Sequence, residues 1–202
     1  MQHIDHESYK LAADASGGSV ESMLSTLAGV NSNNEMSSQY SVRGGTYDEN
    51  SVYINGVEVY RPQLISSGQQ EGLSIINPDM VGSIGFSTGG FGVEYGDKMS
   101  SALDITYREP EAFEGSVTGS LMGFSVAVGQ SSRKFSQLHG VRFKKNTSLL
   151  SSLETKGEYD PKFFDYQTNL NWKISPKFKA SFLGNIAVNL SLIHISEPTR
   201  LA

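Results

Sequence analysis

Residues 39–62, QYSVRGGTYDENSVYINGVEVYRP, carry the clearest structural pattern in the chain. Alternation of apolar and polar residues in QYSV predicts a short strand that ends at the glycine pair Gly44-Gly45. Farther on, VYI and VEV flank Asn55-Gly56. An Asn-Gly pair between alternating apolar residues favours a hairpin, because both turn residues need positive φ. The stretch therefore predicts three short strands, of which the last two form a hairpin.

A short amphipathic helix is predicted upstream of this stretch. Four apolar residues recur at helical spacing, namely Val20, Met23, Leu24 and Leu27. Ser19 is a suitable N-cap, Glu21 is favourable in the first turn because of the helix dipole, and Gly29 ends the helix.

Two further strands and two short helices are predicted downstream. Residues 81–87 and 101–107 alternate apolar and small residues, which is typical of strands. A short helix is predicted over residues 73–76. Asn77-Pro78 predicts a second helix start, with Asn as the cap and Pro at the first position.

Several motifs in this region resemble the plug domain of TonB-dependent outer-membrane receptors. The first is VRGG at 42–45, followed by the strand that ends in Asn-Gly-Val, with Asn55 where Asp is commoner. The second is FSTGGF at 86–91, which precedes YGDKMSS at 95–101. The segment LAGV at 27–30 also matches the helix end of that family. The form of these motifs is similar to Bacteroidetes-type receptors.

The resemblance implies a structural role for the residues of these motifs, which are Arg43, Gly44, Gly45, Asn55, Gly56, Gly89, Gly90, Tyr95 and Gly96. In plug domains such a charge faces the barrel lumen and helps to seat the plug, so Arg43 is expected in an ion pair. An ordinary exposed arginine at a strand end is the alternative.

Residues 111–188 follow a different pattern. Along 163–174, aromatic and aliphatic residues alternate with polar ones, and the alternation continues over 178–188 after Ser175-Pro176. Two alternating strands of about ten residues joined by a tight turn are typical of a transmembrane β-hairpin. A soluble antiparallel sheet with one wet face gives the same alternation. Residues 116–130 are predicted to form one strand with a bulge near 121–124, and residues 135–146 another.

These patterns predict an α+β fold, with a small mixed α/β plug domain followed by antiparallel strands of an incomplete transmembrane β-barrel. Residues 1–18 are expected to be an extended lead-in, 19–110 the plug, and 111–188 the first four barrel strands. Residues 189–202 do not fit the strand pattern, and we interpret them as a non-native tail. A fifth strand followed by a turn is the alternative.

Composition narrows the class of protein. The chain has 202 residues and no cysteine, which excludes disulfides and thiolate metal sites. Residues 1–110 hold 5 basic and 14 acidic residues, whereas 111–202 hold 11 and 7, so the net charge of −5 combines −9 with +4. The mild positive charge of the second part is spread along strands, and no nucleic-acid partner is predicted. No signal peptide opens the chain.

Catalytic and metal-binding motifs are weak. Residues 85–89, GFSTG, match a nucleophile elbow, and Asp97 or Asp104 followed by His139 would complete a triad in the expected order. A nucleophile elbow needs a helix directly after the turn, and a glycine-rich loop follows here instead. The histidines lack metal-ligand spacing, so we predict no enzyme, no metal site and no cofactor.

The family resemblance implies energised uptake of an extracellular ligand across the Gram-negative outer membrane. The expected partners are TonB of the inner-membrane complex, an extracellular small-molecule or glycan ligand, outer-membrane lipid and a surface lipoprotein. No convincing TonB box is found in residues 1–18, so the N-terminus of the whole protein is expected upstream. The outward plug loops are expected to approach the ligand through Asn33, Asn34, Tyr47, Asp48, Glu49, Tyr60 and Arg61. The alternative function is a secreted or surface β-rich glycan-binding or adhesion module.

Overall fold

A computed structural model describes residues 2–5, 19–32, 39–60, 62, 74–96, 98–120, 123–145 and 157–195. Strands dominate the described part of the chain. They are β1 (Gln2–Asp5), β2 (Val30–Asn31), β3 (Ser41–Val42), β4 (Asn50–Ile54), β5 (Val57–Glu58), β6 (Val81–Ser87), β7 (Ser101–Tyr107), β8 (Glu114–Ser120), β9 (Gly123–Ser132), β10 (Phe135–Lys145), β11 (Gly157–Ser175) and β12 (Phe178–Ile195).

The N-terminal sheet has five strands in the order β1-β6-β7-β4-β5. β4 runs parallel to β7, and the other neighbours are antiparallel. One face of this sheet carries the main apolar core, to which α1 (Val20–Leu24) also contributes. The fully buried core side chains include Leu24, Ile54, Ile76, Met80, Ile84, Phe86, Leu103 and Ile105.

The hairpin predicted around Asn55-Gly56 is confirmed. β4 and β5 pair antiparallel with Ile54 opposite Val57. Asn55 and Gly56 have φ angles of 52° and 77°, as a type I′ turn requires. The strands predicted at 81–87 and 101–107 are also present, as β6 and β7.

The α+β prediction is wrong, because the described residues are mostly β-structure with one short α-helix. Ser19 caps α1 as predicted, by accepting a hydrogen bond from Ser22 N at 3.0 Å, but α1 ends at Leu24 and not at Gly29. No helix forms over residues 74–76, because their carbonyl groups accept hydrogen bonds from another part of the chain. Asn77 caps only a 3₁₀ turn, Pro78–Met80. A second 3₁₀ turn spans Tyr47–Glu49. None of the described helices is long and apolar enough to cross a membrane.

The C-terminal sheet is an antiparallel meander in the order β12-β11-β10-β9-β8. The single bulged strand predicted over 116–130 is wrong, since β8 and β9 are two paired strands with Ser120 opposite Gly123. Gly123 has a φ of 151°, and a Cβ there would lie 2.0 Å from the carbonyl oxygen of Phe143. The interruption in the alternation is therefore a chain reversal that requires glycine.

Candidate functional site

The polar face of the C-terminal sheet lies against the N-terminal sheet. We call this contact the seam. Its C-terminal side consists of Gly140, Arg142, Asp165, Gln167 and Asn169, and its N-terminal side consists of Glu21, Asn55, residues 74–80 and Tyr107. The charged and amide residues on both sides are buried or nearly so. Burial of this many polar groups is tolerated only where they pair, and the described hydrogen bonds show how most of them do.

Arg142 and Asp165 form the central pair of the seam. The two residues are 2% and 1% exposed. Arg142 Nε and Nη2 donate to the two carboxylate oxygens of Asp165 at 2.8 and 2.9 Å, which is a bidentate ion pair. The remaining donors of the guanidinium reach across the seam, to Ile76 O at 2.7 Å and Ser74 O at 2.9 Å. The pair thus holds the segment at 74–76 against β10.

Gln167 and Tyr107 extend this network along β11. The Tyr107 hydroxyl donates to Gln167 Oε1 at 2.8 Å, and Gln167 Nε2 donates to Ile75 O. Burial raises the pKa of Tyr107 to about 12, so the phenol remains a donor at neutral pH. Elsewhere in the seam, Asn55 Nδ2 donates a hydrogen bond to Asn169 Oδ1 at 3.3 Å. The turn residue Asn55 therefore contacts the C-terminal sheet directly.

Asp79 and Gly140 lie where the 3₁₀ turn Pro78–Met80 contacts the C-terminal sheet. Asp79 accepts hydrogen bonds from Thr118, at 2.9 Å, and from Ser125. Gly140 lies against the 3₁₀ turn: a Cβ at this position would be 2.4 Å from Asn77 Nδ2 and 2.7 Å from Met80 Sδ. A side chain at this position would therefore require Asn77 and Met80 to shift.

Glu21, in the first turn of α1, lies in the seam as well. The residue is 5% exposed. Burial raises the pKa of its carboxyl group, and a hydrogen bond to Ser74 and the charge of Arg142 oppose that shift only in part. The carboxyl group thus faces the wall of the other sheet, where its charge is disfavoured.

The opposite face of the C-terminal sheet is apolar and exposed. Trp172 is 57% exposed and Phe182 is 58% exposed, while the alternate residues Asn171 and Gln167 are buried. The other large exposed apolar residues of this face are Val117, Phe124, Val128, Phe164, Ile174, Phe178, Ile186, Val188 and Leu190. This sidedness is the reverse of a soluble sheet, whose polar face would be the exposed one. An apolar outer face with a polar inner face is instead typical of a membrane barrel wall.

The predicted ligand-contacting residues are spread over several parts of the chain. Tyr47, Asp48 and Glu49 form one 3₁₀ turn, and Lys98 Nζ donates to Asp48 O at 2.6 Å. Tyr60 is 83% exposed after β5. Asn33, Asn34 and Arg61 lie outside the described residues. The ligand role of all seven remains a prediction.

Arg43 is exposed and has a φ of 51°, an uncommon conformation for a residue other than glycine or asparagine. Its side chain passes over Gly29 and Gly89, since a Cβ on each would lie 3.6 and 3.8 Å from Arg43 Cγ and Nη1. Among the described residues Arg43 makes no ion pair. The expected partner in the lumen therefore remains a prediction.

The other motif residues form the loops around this side of the N-terminal sheet. Gly44, Gly89 and Gly90 have positive φ angles. A Cβ on Gly45 would lie 1.9 Å from Ser100 Oγ, so Gly45 permits the close approach of two loops. Tyr95, which precedes Gly96, donates to Asp104 at 2.8 Å and packs edge-on against Tyr53.

The candidate triad residues contact other groups. Ser87 is buried and donates to Gly89 O at 3.1 Å, whereas Asp104 accepts from Tyr95. His139 Nδ1 lies 2.8 Å from the Tyr166 hydroxyl on the outer face of the C-terminal sheet. Asp97 lies outside the described residues. Within the described part of the chain no cluster of metal-binding residues occurs.

Sequence reasoning missed the residues that hold the seam, above all Arg142, Asp165, Gln167 and Glu21. The alternation in β11 identified Asp165 and Gln167 as one polar face but gave no partner for it. An arginine at an inward position of β10 was the available signal, because an unpaired charge inside a barrel wall demands a buried counterion.

A family model described as the TonB-dependent receptor plug domain matches residues 8–102. A comparison with curated proteins finds no relative. Among solved structures, the siderophore receptor PirA from Pseudomonas aeruginosa is similar, with 16% identity and a TM-score of 0.68 over 95% of this chain and 34% of that chain. A mutant of the ferric enterobactin receptor PfeA from Pseudomonas aeruginosa has 14% identity and a TM-score of 0.66, over 94% of this chain and 33% of that chain. The outer membrane transporter YddB from Escherichia coli has 12% identity and a TM-score of 0.61, over 90% and 32%. The chain thus spans about a third of these solved receptors, and their likeness shows the fold.

Proposed function

This chain contains the plug domain of a TonB-dependent outer-membrane receptor and the adjoining strands of its barrel, and from this premise we propose how the whole protein works. We propose that the whole protein takes up an extracellular ligand across the Gram-negative outer membrane. Residues 8–102 would act as the gate and β8 to β12 as the first part of the barrel wall. We propose a transport function and no catalytic one, because the family consists of transporters.

One observation carries this proposal: the C-terminal sheet buries its polar face and exposes its apolar face. The buried face carries Arg142 and Gln167, which donate hydrogen bonds to plug carbonyl groups, and Asp165, which pairs with Arg142. The exposed face carries aromatic residues such as Trp172 and Phe182. In water, that face would be a large apolar patch, whereas in a bilayer it is solvated by lipid. For this reason a soluble adhesion module is not favoured.

The contacts of the seam favour a plug that is held against the barrel wall by a few specific hydrogen bonds. Hydrogen bonds from Arg142 and Gln167 join the plug to β10 and β11, and Leu138 and Leu183 add apolar contact across the seam. Hydrogen bonds can be exchanged for bonds to water when the plug moves, so the contact is strong in the closed state and can still be remodelled. In our proposal, TonB supplies the pull through a segment N-terminal to the plug.

Arg43 is proposed to pair with a carboxylate on a part of the barrel wall beyond β12. Its exposure, its positive φ and its position over Gly29 and Gly89 support this role. A strained backbone persists where the surrounding structure uses it, as at a switch or a clamp. The Arg43 guanidinium would then seat the side of the plug that β10 and β11 do not reach.

The ligand is proposed to meet the plug at the turn of Tyr47, Asp48 and Glu49, together with Tyr60 and the loops that carry Asn33, Asn34 and Arg61. Ferric siderophores are the first ligands to test, because PirA is a siderophore receptor and PfeA a ferric enterobactin receptor. A glycan ligand, a surface lipoprotein and the Bacteroidetes-type affiliation remain further proposals.

The proposed function is tested by uptake in a Gram-negative strain that lacks its own siderophore receptors. The complete gene is expressed with and without a functional TonB protein, and cell-associated radioactive iron is measured for a panel of ferric siderophores. Uptake that requires both the receptor and TonB is expected for at least one ligand class. Recovery of the protein in the soluble fraction would contradict the proposal at its foundation.

A further inference from the structure

Glu21 is a carboxyl group that the seam buries with an incomplete set of partners. Its Oε2 atom has no hydrogen-bond partner among the described residues. Ser74, on the segment held by Arg142, hydrogen-bonds the carboxyl group. Because a buried carboxylate without charge compensation is costly, this position favours the neutral acid.

The positive charge nearest to Glu21 is already neutralised. Arg142 gives both carboxylate oxygens of Asp165 a hydrogen bond, at 2.8 and 2.9 Å. An ionised Glu21 would place a second carboxylate beside one guanidinium in a buried contact. Lys144, on the same strand as Arg142, adds only a smaller attraction. The group formed by Arg142, Asp165 and Glu21 therefore has a net charge of zero only when Glu21 holds a proton.

The groups that approach Glu21 from the plug side give no positive charge. They are the phenols of Tyr40, Tyr47 and Tyr107, which interact electrostatically with Glu21. Burial raises the pKa of all three phenols, so all three remain neutral at physiological pH. Burial likewise raises the pKa of the Glu21 carboxyl group, and Ser74 and Arg142 lower it by less.

We propose that Glu21 is a proton-linked latch, in which the neutral carboxyl group holds α1 against the barrel wall and displacement of α1 releases one proton to water. This inference rests on the gating function proposed above. It makes closure of the plug depend on the pH at the outer membrane.

The direction of the dependence follows from linkage. Since the seated carboxyl group binds its proton more tightly than an exposed one, seating is favoured at low pH. The ratio of receptors with α1 seated to those with α1 displaced falls by up to about tenfold per pH unit once the pH exceeds 4.5, the ordinary pKa of a glutamate carboxyl group. The fall ends at the raised pKa, above which both states are ionised.

The test measures exposure of α1 in the full-length receptor in isolated outer membranes. The 202 residues contain no cysteine, so Met23→Cys places a single reactive thiol in this region on the buried face of α1, and Ser25→Cys places one at the exposed C-cap of α1. The rate of maleimide labelling at position 23, divided by that at position 25, cancels the pH dependence of thiol chemistry. With Glu21 this ratio should rise between pH 5 and 8, by up to about tenfold per unit.

Three further variants make the result decisive. Glu21→Gln, which has the shape of the neutral acid, should give a low ratio at every pH. Asp165→Asn frees Arg142 to pair with Glu21 and should flatten the profile, whereas Glu94→Gln, at an exposed position of the same domain, should leave it unchanged. Each of three results would overturn the latch. They are a flat profile in the parent protein, an unchanged slope in Glu21→Gln, and a high labelling ratio in Glu21→Gln at every pH. No ligand or TonB is present, so none of these outcomes depends on whether the receptor transports.

Discussion

At the scale of single residues, Arg142 makes two kinds of contact at once. It neutralises Asp165 on the neighbouring strand and satisfies carbonyl oxygens of the facing plug segment. A buried pair of this kind adds little net stability over an apolar pair, but removal of one partner leaves an uncompensated buried charge. Arg142 is therefore better understood as a residue that specifies where the plug docks.

Replacement of Arg142 by Met is expected to loosen the plug. The change leaves Asp165 buried and unpaired, which costs about 3–5 kcal/mol, and it removes the donors for the carbonyl groups of Ser74 and Ile76. Cells with this variant should become sensitive to large antibiotics that the outer membrane excludes. Lys145→Met, at the exposed end of the same strand, is the matched control. Equal resistance of the two variants would show that Arg142 does not hold the plug.

Gly140→Ala is expected to separate the two sheets without any change in charge. The added methyl group would lie 2.4 Å from Asn77 Nδ2 and 2.7 Å from Met80 Sδ, so side chains or backbone must shift. Overpacking of this kind costs about 1–3 kcal/mol, and the same antibiotic assay should detect it. Gly119→Ala is the control, because no atom lies within 4 Å of the added methyl group. Equal antibiotic resistance of the Gly140 and Gly119 variants would contradict the close contact of Gly140 with Asn77 and Met80.

At the scale of secondary structure, the predictable elements were those whose pattern is local. The hairpin at Asn55-Gly56 and strands β6 and β7 follow from turn chemistry and alternation. The helix predicted at 73–76 failed because Arg142, distant in sequence, takes the carbonyl groups of that segment. The reversal between β8 and β9 was missed because an interruption of alternation fits a bulge as well as a turn.

Sequence also predicted the amphipathic faces of the C-terminal sheet but left their environment open. Alternation shows that two faces differ, and both a wet sheet and a membrane wall satisfy it. Burial of Asp165, Gln167 and Asn169 against the plug decides between them. The candidate site could not be derived in advance, since its contacts join residues as far apart in sequence as Tyr107 and Gln167, 60 residues, or Ile76 and Arg142, 66 residues.

A lysine on the outer face should therefore destabilise the wall more than one on the inner face. Ile186 is exposed on the apolar face of β12, and Asn185 is its neighbour on the polar face. Ile186→Lys should cost about 2–4 kcal/mol near the bilayer centre and less toward the interfaces, while Asn185→Lys should be nearly neutral. Urea unfolding of the refolded receptor in lipid vesicles measures both. Equal tolerance at the two positions would indicate water on both faces.

At the scale of the whole molecule, the C-terminal sheet ends in strands that need neighbours. Within the described residues β8 pairs only with β9 and β12 only with β11, so each has one edge without a partner strand. Open edges template aggregation, and the smallest closed barrels have about 8 strands. Five strands that wrap one side of a plug therefore require the rest of a barrel for closure.

The 202-residue chain alone is accordingly expected not to form a stable membrane protein. Refolded in detergent or vesicles, it should aggregate or remain sensitive to protease, because its edges and its apolar face lack their partners. The complete receptor, refolded in the same way, should give a compact form that migrates faster on a gel before boiling. Both samples contain the same plug and the same seam. A difference between them therefore reports on closure of the barrel and not on local folding. A soluble, monomeric and protease-resistant 202-residue chain would contradict the barrel architecture, because the exposed aromatic face would then have to be stable in water.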